Sequence, residues 1–213
     1  MACSHCCGAE KLFDLKTALK EKKKYNKKGP KGSTKRLVYF LNNYPVTGKK
    51  MLDIGGGIGA LQWAFLERGG LSTTDVDASP AYINVAEEIA REKQWQHQTS
   101  FLTGDITAFR EELSPHDFVT LDKVVCCYPS YHELLSVATT NCREILALTM
   151  PVSNIFARLF ASIGNLLLYL KKNPFRTYVH SKKEIDRFIR DKGFYPEHQK
   201  LSFPWHVMVY RRR

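Results

Sequence analysis

Short apolar runs alternate with stretches of helical spacing from residue 50 onward. The runs predict strands at residues 50–54, 71–76, 99–103, 117–124 and 144–149. The stretches between them predict helices at residues 59–68, 79–93, 107–113 and 130–141. Strands and helices that alternate at these lengths predict a parallel sheet with helices on both faces. Ligands of such sheets lie beyond the carboxyl ends of the strands, so polar residues at those ends are the first candidates for a site.

Further elements are predicted on both sides of this unit from helical spacing, capping residues and alternation. They are an amphipathic helix from Lys11 to Asn26, a helix capped by Ser33 or Thr34 that ends at Leu41, a helix from Ser181 to about Lys192, and a pair of antiparallel strands at 194–201 and 205–211.

The segment from Asn154 to Leu170 is the most apolar of the chain. Arg158, Gly164 and Asn165 interrupt it, and it is too short to span a bilayer. We interpret it first as a helix that faces the core. The alternatives are an exposed lid over a flat apolar substrate or an anchor in a membrane interface.

Composition limits these interpretations. A chain of 213 residues with 44% hydrophobic and 25% charged residues predicts one α/β domain with a full core. The first residues lack an apolar signal segment, and the cysteines are not spaced as a secreted disulfide framework, so we expect a cytoplasmic protein with reduced thiols. Cys3, His5, Cys6 and Cys7 are more simply an oxidisable tail than a metal site, because a structural zinc site normally uses a second, distant pair of ligands.

The formal charge of +11 is concentrated between Lys20 and Arg36 and at the terminal Arg211 to Arg213. Such a lysine run is most simply a solvated helix face. A basic patch can also attract an anionic substrate, a nucleic acid or an acidic membrane surface.

A glycine-rich loop follows the first predicted strand and contains Asp53, Gly55, Gly57 and Gly59. Glycines at such a turn allow a ligand to approach the backbone, which indicates nucleotide binding. The same glycines with Asp77 also fit a loose dinucleotide fingerprint, so an NAD-dependent oxidoreductase is one alternative. Asp53 disfavours it, because a carboxylate at the strand end would repel a pyrophosphate and attract an ammonium group.

An acid, one residue and then Gly-x-Gly-x-Gly resembles the first motif of the class I S-adenosylmethionine (SAM) methyltransferases. The resemblance implies a Rossmann-like α/β fold, with a mostly parallel seven-stranded sheet, an antiparallel last strand and helices on both faces. It implies a SAM-binding domain at residues 50–213, covered by a Cys-rich tail and basic helices at residues 1–49. It also implies three groups of SAM-binding residues: Asp53, Gly55, Gly57 and Gly59 at the methionine part, Asp77 and Ala78 at the ribose, and Asp105 and Ile106 at the adenine.

In this family the loop after the fourth strand faces the transferred methyl group. Its position makes Asp122, Tyr128 and His132 candidate catalytic bases, with His180 from a later linker. The candidate substrate-binding residues are Cys126, Cys127, Tyr131 and Arg176.

The segments around Asp122 to Pro129 and Asn173 to Arg176 also resemble bacterial small methyltransferases grouped with magnesium-protoporphyrin O-methyltransferases. That resemblance implies a small-molecule acceptor, a carboxylate or other oxygen on an apolar compound. One alternative is a thiol or metalloid acceptor held by Cys126 and Cys127. Two others are an RNA-binding or RNA-modifying protein that uses the basic helix and a SAM-binding module without catalysis.

Overall fold

The computed structural model describes the backbone of residues 4–213 and the side chains of residues 8–213. Its centre is a seven-stranded sheet in the order β3-β2-β1-β4-β5-β7-β6. The strands are β1 (Lys50–Ile54), β2 (Ser72–Asp77), β3 (Thr99–Thr103), β4 (His116–Leu121), β5 (Cys142–Pro151), β6 (Phe194–Ser202) and β7 (Trp205–Arg212). The first five strands are parallel, and β7 runs antiparallel between β5 and β6. The predicted fold class is therefore confirmed.

Eight helices surround the sheet in the described residues. They are α1 (Ser4–Leu12), α2 (Leu15–Lys28), α3 (Gly32–Leu41), α4 (Ala60–Leu66), α5 (Pro80–Glu92), α6 (Tyr131–Thr140), α7 (Ile155–Leu170) and α8 (Lys182–Asp191). The Ser181 hydroxyl accepts a hydrogen bond from the Glu184 amide, which confirms Ser181 as the cap of α8. Asp14 caps α2 through the Thr17 amide, so the predicted helix from Lys11 to Asn26 begins instead at Leu15.

Both faces of the sheet are buried, as the continuous apolar strands predict. Successive residues of β1 enter different cores, because side chains alternate across a strand. Met51 packs with Trp63 and Phe118 on one face, whereas Leu52 packs with Leu135 on the other.

Two predicted elements after the third strand differ from the structure. The predicted helix at 107–113 is only a 3₁₀ turn, Ile106–Phe109, capped by Asp105 through the Thr107 amide. The predicted strand at 117–124 ends at Leu121. It ends there because Lys123 adopts a left-handed backbone conformation, with φ of 64°, and its amide donates to the Thr149 hydroxyl.

The prediction that the apolar segment faces the core was wrong. All sixteen residues of α7 are described, and none is buried. Phe160 is 73% exposed and Ile155 is 76% exposed. Within residues 4–213, no helix combines the length and hydropathy that a membrane span requires.

Candidate functional site

A cavity of about 440 Å³ lies at the carboxyl ends of the parallel strands. Residues that end β1 and β2 line it together with the loops after β3 and β4. Ten sequence-predicted site residues lie on its wall: Asp53, Gly55, Gly57, Asp77, Ala78, Asp105, Ile106, Asp122, Cys127 and Tyr128. The sheet therefore brings most of the predicted site to one place.

The glycine loop between β1 and α4 forms one wall of the cavity. Gly55 and Gly57 both have left-handed backbones, with φ of 65° and 60°, a region that favours glycine. A side chain at Gly55 would clash with Val124, because an added Cβ would lie 2.4 Å from a methyl carbon. At Gly57 the same atom would meet only the Tyr82 ring, 3.5 Å away. The loop thus lies bare against the cavity at Gly57.

Gly59, predicted to bind the cofactor, does not line the cavity. Its φ is 81°, and an added Cβ would lie 2.4 Å from the Trp63 ring. The Trp63 indole is fully buried and donates to the Ile58 carbonyl, 2.7 Å away. Gly59 therefore contributes to the loop through packing, since only glycine leaves room for this ring.

Asp53 lies at the end of β1 with 1% of its surface exposed. One carboxylate oxygen accepts from the Thr120 hydroxyl at 2.5 Å, and the other lies 3.5 Å from the Gln62 amide nitrogen. Burial raises the pKa of Asp53 to about 7. A cationic ligand group would favour the ionised carboxylate, so the site fits an ammonium group.

Asp77 ends β2 on the same wall. Its two oxygens accept from the Gly57 amide at 3.0 Å and the Ser79 amide at 2.8 Å. Burial raises its pKa, and these two amides oppose that shift. The carboxylate is held rigidly at the cavity wall, which suits an acceptor for ligand hydroxyls. Asp75, two residues earlier, is fully buried and does not line the cavity.

Asp105 lies after β3 and is hydrogen-bonded to the predicted base Tyr128. The Tyr128 hydroxyl donates to Oδ1 of Asp105. The same oxygen accepts from the amide and the hydroxyl of Thr107, each at 2.9 Å. Tyr128 therefore fixes the orientation of Asp105 at the cavity wall.

Residues 51–147 of the chain match a family model described as a methyltransferase domain. The match begins on β1 and includes the glycine loop, Asp77, Asp105 and the loop after β4. The chain therefore carries a methyltransferase domain at residues 51–147. This finding confirms the resemblance predicted from Asp53 and the glycines.

Known proteins similar to the chain agree with this assignment. Over 114 residues it is 30% identical to the ribosomal protein L11 methyltransferase of Deinococcus radiodurans, which covers 51% of the chain. The chain spans only 39% of that curated relative's length. The crystal structure of magnesium protoporphyrin IX methyltransferase from Synechocystis PCC 6803 with bound S-adenosylhomocysteine (SAH) superposes with a TM-score of 0.68, at 18% identity over 85% of this chain and 82% of that one. An O-methyltransferase family protein from Burkholderia thailandensis has a TM-score of 0.66, at 15% identity over 84% of this chain and 56% of that one. At these identities the structural likeness concerns the fold alone.

The N-terminal helices cover the cavity of the methyltransferase domain. Phe13 lies between the rings of Tyr82 and Phe175, with centroids 5.9 and 5.8 Å away. The Ser79 hydroxyl donates to the Phe13 carbonyl at 2.7 Å. The covering residues on the cavity wall are Ala9, Phe13, Glu21, Lys24, Tyr25, Gly29, Pro30, Lys31 and Thr34.

Asp122 joins this cover to the sheet. Its carboxylate accepts from the Thr149 hydroxyl of β5 at 2.6 Å and from the Thr34 hydroxyl of α3. The Lys123 ammonium donates to Thr34 at 2.8 Å and lies 3.4 Å from Asp122. The prediction that Ser33 or Thr34 caps α3 was wrong, because the helix begins at Gly32 and Lys31 is its N-cap residue. The role of Asp122 as a base stays a prediction.

Cys126 and Cys127 lie side by side, with sulfurs 3.8 Å apart. Only Cys127 lines the cavity. The hydrogen bond between them lowers the pKa of Cys126, and burial opposes this shift only in part. The same hydrogen bond raises the pKa of Cys127, and burial raises it further. The thiol on the cavity wall is therefore the less acidic one.

Four other predicted residues lie outside the cavity of the methyltransferase domain: Tyr131, His132, Arg176 and His180. Tyr131 stacks on His132 with ring centroids 4.0 Å apart, and His180 lies edge-on to Tyr131. The His180 ring donates to the Tyr128 carbonyl at 2.9 Å, and burial lowers its pKa. Arg176 donates to the carbonyls of Asn173 and Phe175, both at 2.7 Å. His180 thus supports the backbone of the loop after β4, and Arg176 supports the linker before α8. None of the four side chains lines the cavity, so their catalytic and binding roles stay predictions.

Sequence reasoning missed the residues that support the acids. Gln62 is fully buried and donates to Asp75 at 2.8 Å, so one side chain contacts two carboxyl groups. A glutamine flanked by apolar residues at the start of a buried helix was the available signal. Other missed residues are Glu21, Thr34, Thr120, Lys123 and Phe175, most of them from distant segments.

Cys3 lies outside the described residues, as do the side chains of His5, Cys6 and Cys7. The tail as a simple oxidisable segment stays a prediction.

Proposed function

We propose that the chain is a SAM-dependent methyltransferase that acts on a small molecule, at a carboxylate or other oxygen of an apolar compound. The observation that carries the proposal is one cavity in which Asp53, Asp77 and Asp105, from three successive strand ends, surround a bare glycine loop. Calorimetric titration with SAH, with NAD in a parallel cell, tests it. Binding of SAH alone supports it, and binding of neither would remove it.

Each acid has a separate role in this proposal. Asp53 holds the ammonium group of the cofactor, Asp77 accepts from its ribose hydroxyls, and Asp105 accepts from the adenine amine. The backbone at Gly55 and Gly57 makes room for the methionine part. When bound, SAM supplies an electrophilic methyl group, and the protein supplies alignment.

The cover of the cavity supports an apolar acceptor with a negative charge. Phe13, Tyr25 and Phe175 offer rings, while Lys24 and Lys31 offer cations on the same wall. The structural neighbours include a magnesium protoporphyrin IX methyltransferase and an O-methyltransferase family protein. We infer that the acceptor enters between the N-terminal helices and the loop after β4.

The partners of the predicted bases favour an acceptor that is already ionised. Asp122 accepts from two threonines, and Tyr128 donates to Asp105. His132 and His180 lie outside the cavity. A carboxylate acceptor loses no proton in the reaction, so it needs no base within hydrogen-bond reach.

Affinity for SAH should depend on pH through Asp53. The carboxyl has a pKa of about 7 in the unliganded fold, and the ligand ammonium requires its ionised form. We expect affinity to fall by about tenfold from pH 8 to pH 6. Calorimetry across this range measures the change.

The control for this prediction is Asp53→Asn, which should bind weakly with a flat profile. Unfolding gives a second readout of the same group. A carboxyl whose pKa is raised by folding stabilises the unliganded protein when protonated, so stability should fall as pH rises toward about 7 and this fall should be absent in the variant. Parallel pH profiles of the two proteins would contradict the assignment.

A thiol or metalloid acceptor remains the second candidate because Cys127 lines the cavity beside Cys126. Cys127→Ser separates the two proposals. For an oxygen acceptor we expect kcat/KM to change less than about threefold, since the hydroxyl nearly preserves the shape of the wall. A loss of activity with SAH binding intact would favour the thiophilic acceptor, and Cys142→Ser, at a buried cysteine off the cavity wall, controls for general effects of thiol removal.

A further inference from the structure

Helix α7 presents its large apolar side chains outward. Successive residues of a helix are separated by about 100°. On this projection eight exposed apolar side chains form one arc of about 140°, from Ile155 through Leu159, Ile163 and Leu167 to Phe160. A helix of a globular protein normally turns this face to the core. Here the apolar face has no partner within the described chain.

The opposite face of α7 is made for close packing against the protein. Its half-buried residues are mostly small, at Ala157, Ala161 and Gly164. Asn165 accepts from the Thr177 amide at 2.8 Å and donates to the Thr177 carbonyl at 2.9 Å, which fixes the helix to the following linker. The outward direction of the apolar face is therefore set by specific contacts.

The charged residues between positions 145 and 183, the segment that contains α7, are all basic. Arg158 lies at the edge of the apolar face, and Lys171 and Lys172 follow the last residue of α7, both exposed. No aspartate or glutamate occurs between residues 145 and 183. An apolar arc rimmed by basic residues matches an interface rich in anionic lipid.

A second apolar element lies near the N-terminal end of α7. The turn between β6 and β7 exposes Phe203, which is 79% accessible. The Val152 amide, just before α7, donates to the Pro204 carbonyl of this turn at 2.9 Å. α7 follows the carboxyl end of β5, and the Phe203 turn lies beside that end because Pro151 pairs with Trp205. β5 is the neighbour of β4, and Asp122, just after β4, lines the cavity.

We propose that α7 and the Phe203 turn dock the protein on the surface of an anionic phospholipid membrane, with α7 lying in the interface. Arg158, Lys171 and Lys172 would remain at the level of the lipid headgroups, as long basic side chains do at interfaces. Docking turns the carboxyl ends of the parallel strands, where the cavity lies, toward the lipid. The inference goes beyond the proposed function, because lipid binding requires neither cofactor nor acceptor.

Two other occupants of the apolar face fit less well. α7 does not line the cavity, so it does not close over an acceptor there. In a symmetric dimer the same face meets itself. Such packing would bring the basic rims of two copies together without an acid in this segment to pair with them.

Sedimentation with vesicles tests the proposal on the full chain. We expect the protein to partition at least about tenfold more strongly to phosphatidylcholine vesicles that contain phosphatidylglycerol than to phosphatidylcholine alone. Leu159→Glu and Leu167→Glu should each reduce binding by about tenfold or more. Leu71→Glu is the matched control: Leu71 is 50% exposed, close to Leu159 at 57%. It precedes β2 at the amino ends of the parallel strands, opposite to the cavity.

A double variant tests the basic residues that follow α7. Lys171→Ala combined with Lys172→Ala should weaken binding to the anionic vesicles by about tenfold or more and leave the weak binding to neutral vesicles unchanged. Thermal unfolding of each variant separates lost docking from lost folding. Equal loss in Leu71→Glu and Leu159→Glu, or absence of binding to anionic vesicles, would overturn the proposal. So would a dimer in light scattering that Leu159→Glu converts to a monomer.

Discussion

Replacing Asp77 by alanine is expected to weaken SAH binding by about 100-fold, because hydrogen bonds to a charged acceptor contribute about 1.5–3 kcal/mol each. The carboxylate is held at the cavity wall by the amides of Gly57 and Ser79. It is thus already oriented before a ligand arrives, and the proposed ribose hydroxyls meet it without rearrangement. Calorimetry with SAH measures the loss.

Asp75 provides the control for this prediction. It lies on the same strand, is more deeply buried than Asp77, and accepts from Gln62 at 2.8 Å, but it does not line the cavity. Burial raises its pKa well above the usual value, so the neutral amide of Asp75→Asn resembles its native state. This variant should retain SAH affinity. The opposite ranking of the two variants would assign the ribose to Asp75.

The Asp77 amide contacts also bear on folding. Removal of the carboxylate leaves the Gly57 and Ser79 amides without their acceptor, so some loss of stability accompanies the loss of affinity. Asp77→Asn keeps one acceptor oxygen at the same place. We expect it to recover stability more fully than affinity, a difference that thermal unfolding and calorimetry together detect.

The placement of the acids at strand ends was predictable because it depends only on the residues next to each apolar run. A short apolar run followed by a polar residue marks a strand end, and parallel strands bring such ends to one edge. Asp53, Asp77 and Asp105 therefore met at one cavity as the spacing implied. The glycine loop likewise depends on backbone conformation at Gly55 and Gly57, which residue type alone indicates.

The loop after β4 was harder because position in sequence does not decide which side chain faces the cavity. Asp122 contacts Thr34 across 88 residues, and His180 meets the Tyr128 carbonyl across 52. These contacts depend on how the N-terminal helices and the α7–α8 linker fold over the sheet. A histidine near the right loop therefore became a support for its backbone.

The error for α7 has a different physical origin. A hydrophobic face indicates burial against something, and the sequence does not say whether that partner belongs to the same chain. Small residues at Ala157, Ala161 and Gly164 on the opposite face carry the missing information, because they mark the side that packs closely on the protein. A helix with small residues on one face and large apolar residues on the other is therefore expected to turn its large apolar residues outward.

Gly59→Ala is expected to be the most destabilising single-methyl change in the glycine loop that keeps the cavity wall itself intact. The added Cβ would lie 2.4 Å from the Trp63 ring, which is fully buried and stacks on Trp95 with centroids 5.9 Å apart. Overpacking of a core typically costs about 1–3 kcal/mol, and the left-handed backbone adds about 1–2 kcal/mol for a residue with a Cβ. We expect a loss of about 3 kcal/mol in the free energy of unfolding, measured by denaturant titration.

Gly48→Ala isolates the backbone part of this cost. Gly48 has φ of 74°, close to the 81° of Gly59, but an added Cβ meets nothing within 4 Å. Its loss should stay near the strain of about 1–2 kcal/mol. The difference between the two variants then measures the packing of Trp63 alone. Equal losses would mean that the ring moves aside freely, and Gly59 would then be explained by backbone conformation without reference to Trp63. A larger loss at Gly59, with SAH affinity preserved in the folded fraction, would establish that this glycine supports the loop through the core and leaves ligand contact to Gly55 and Gly57.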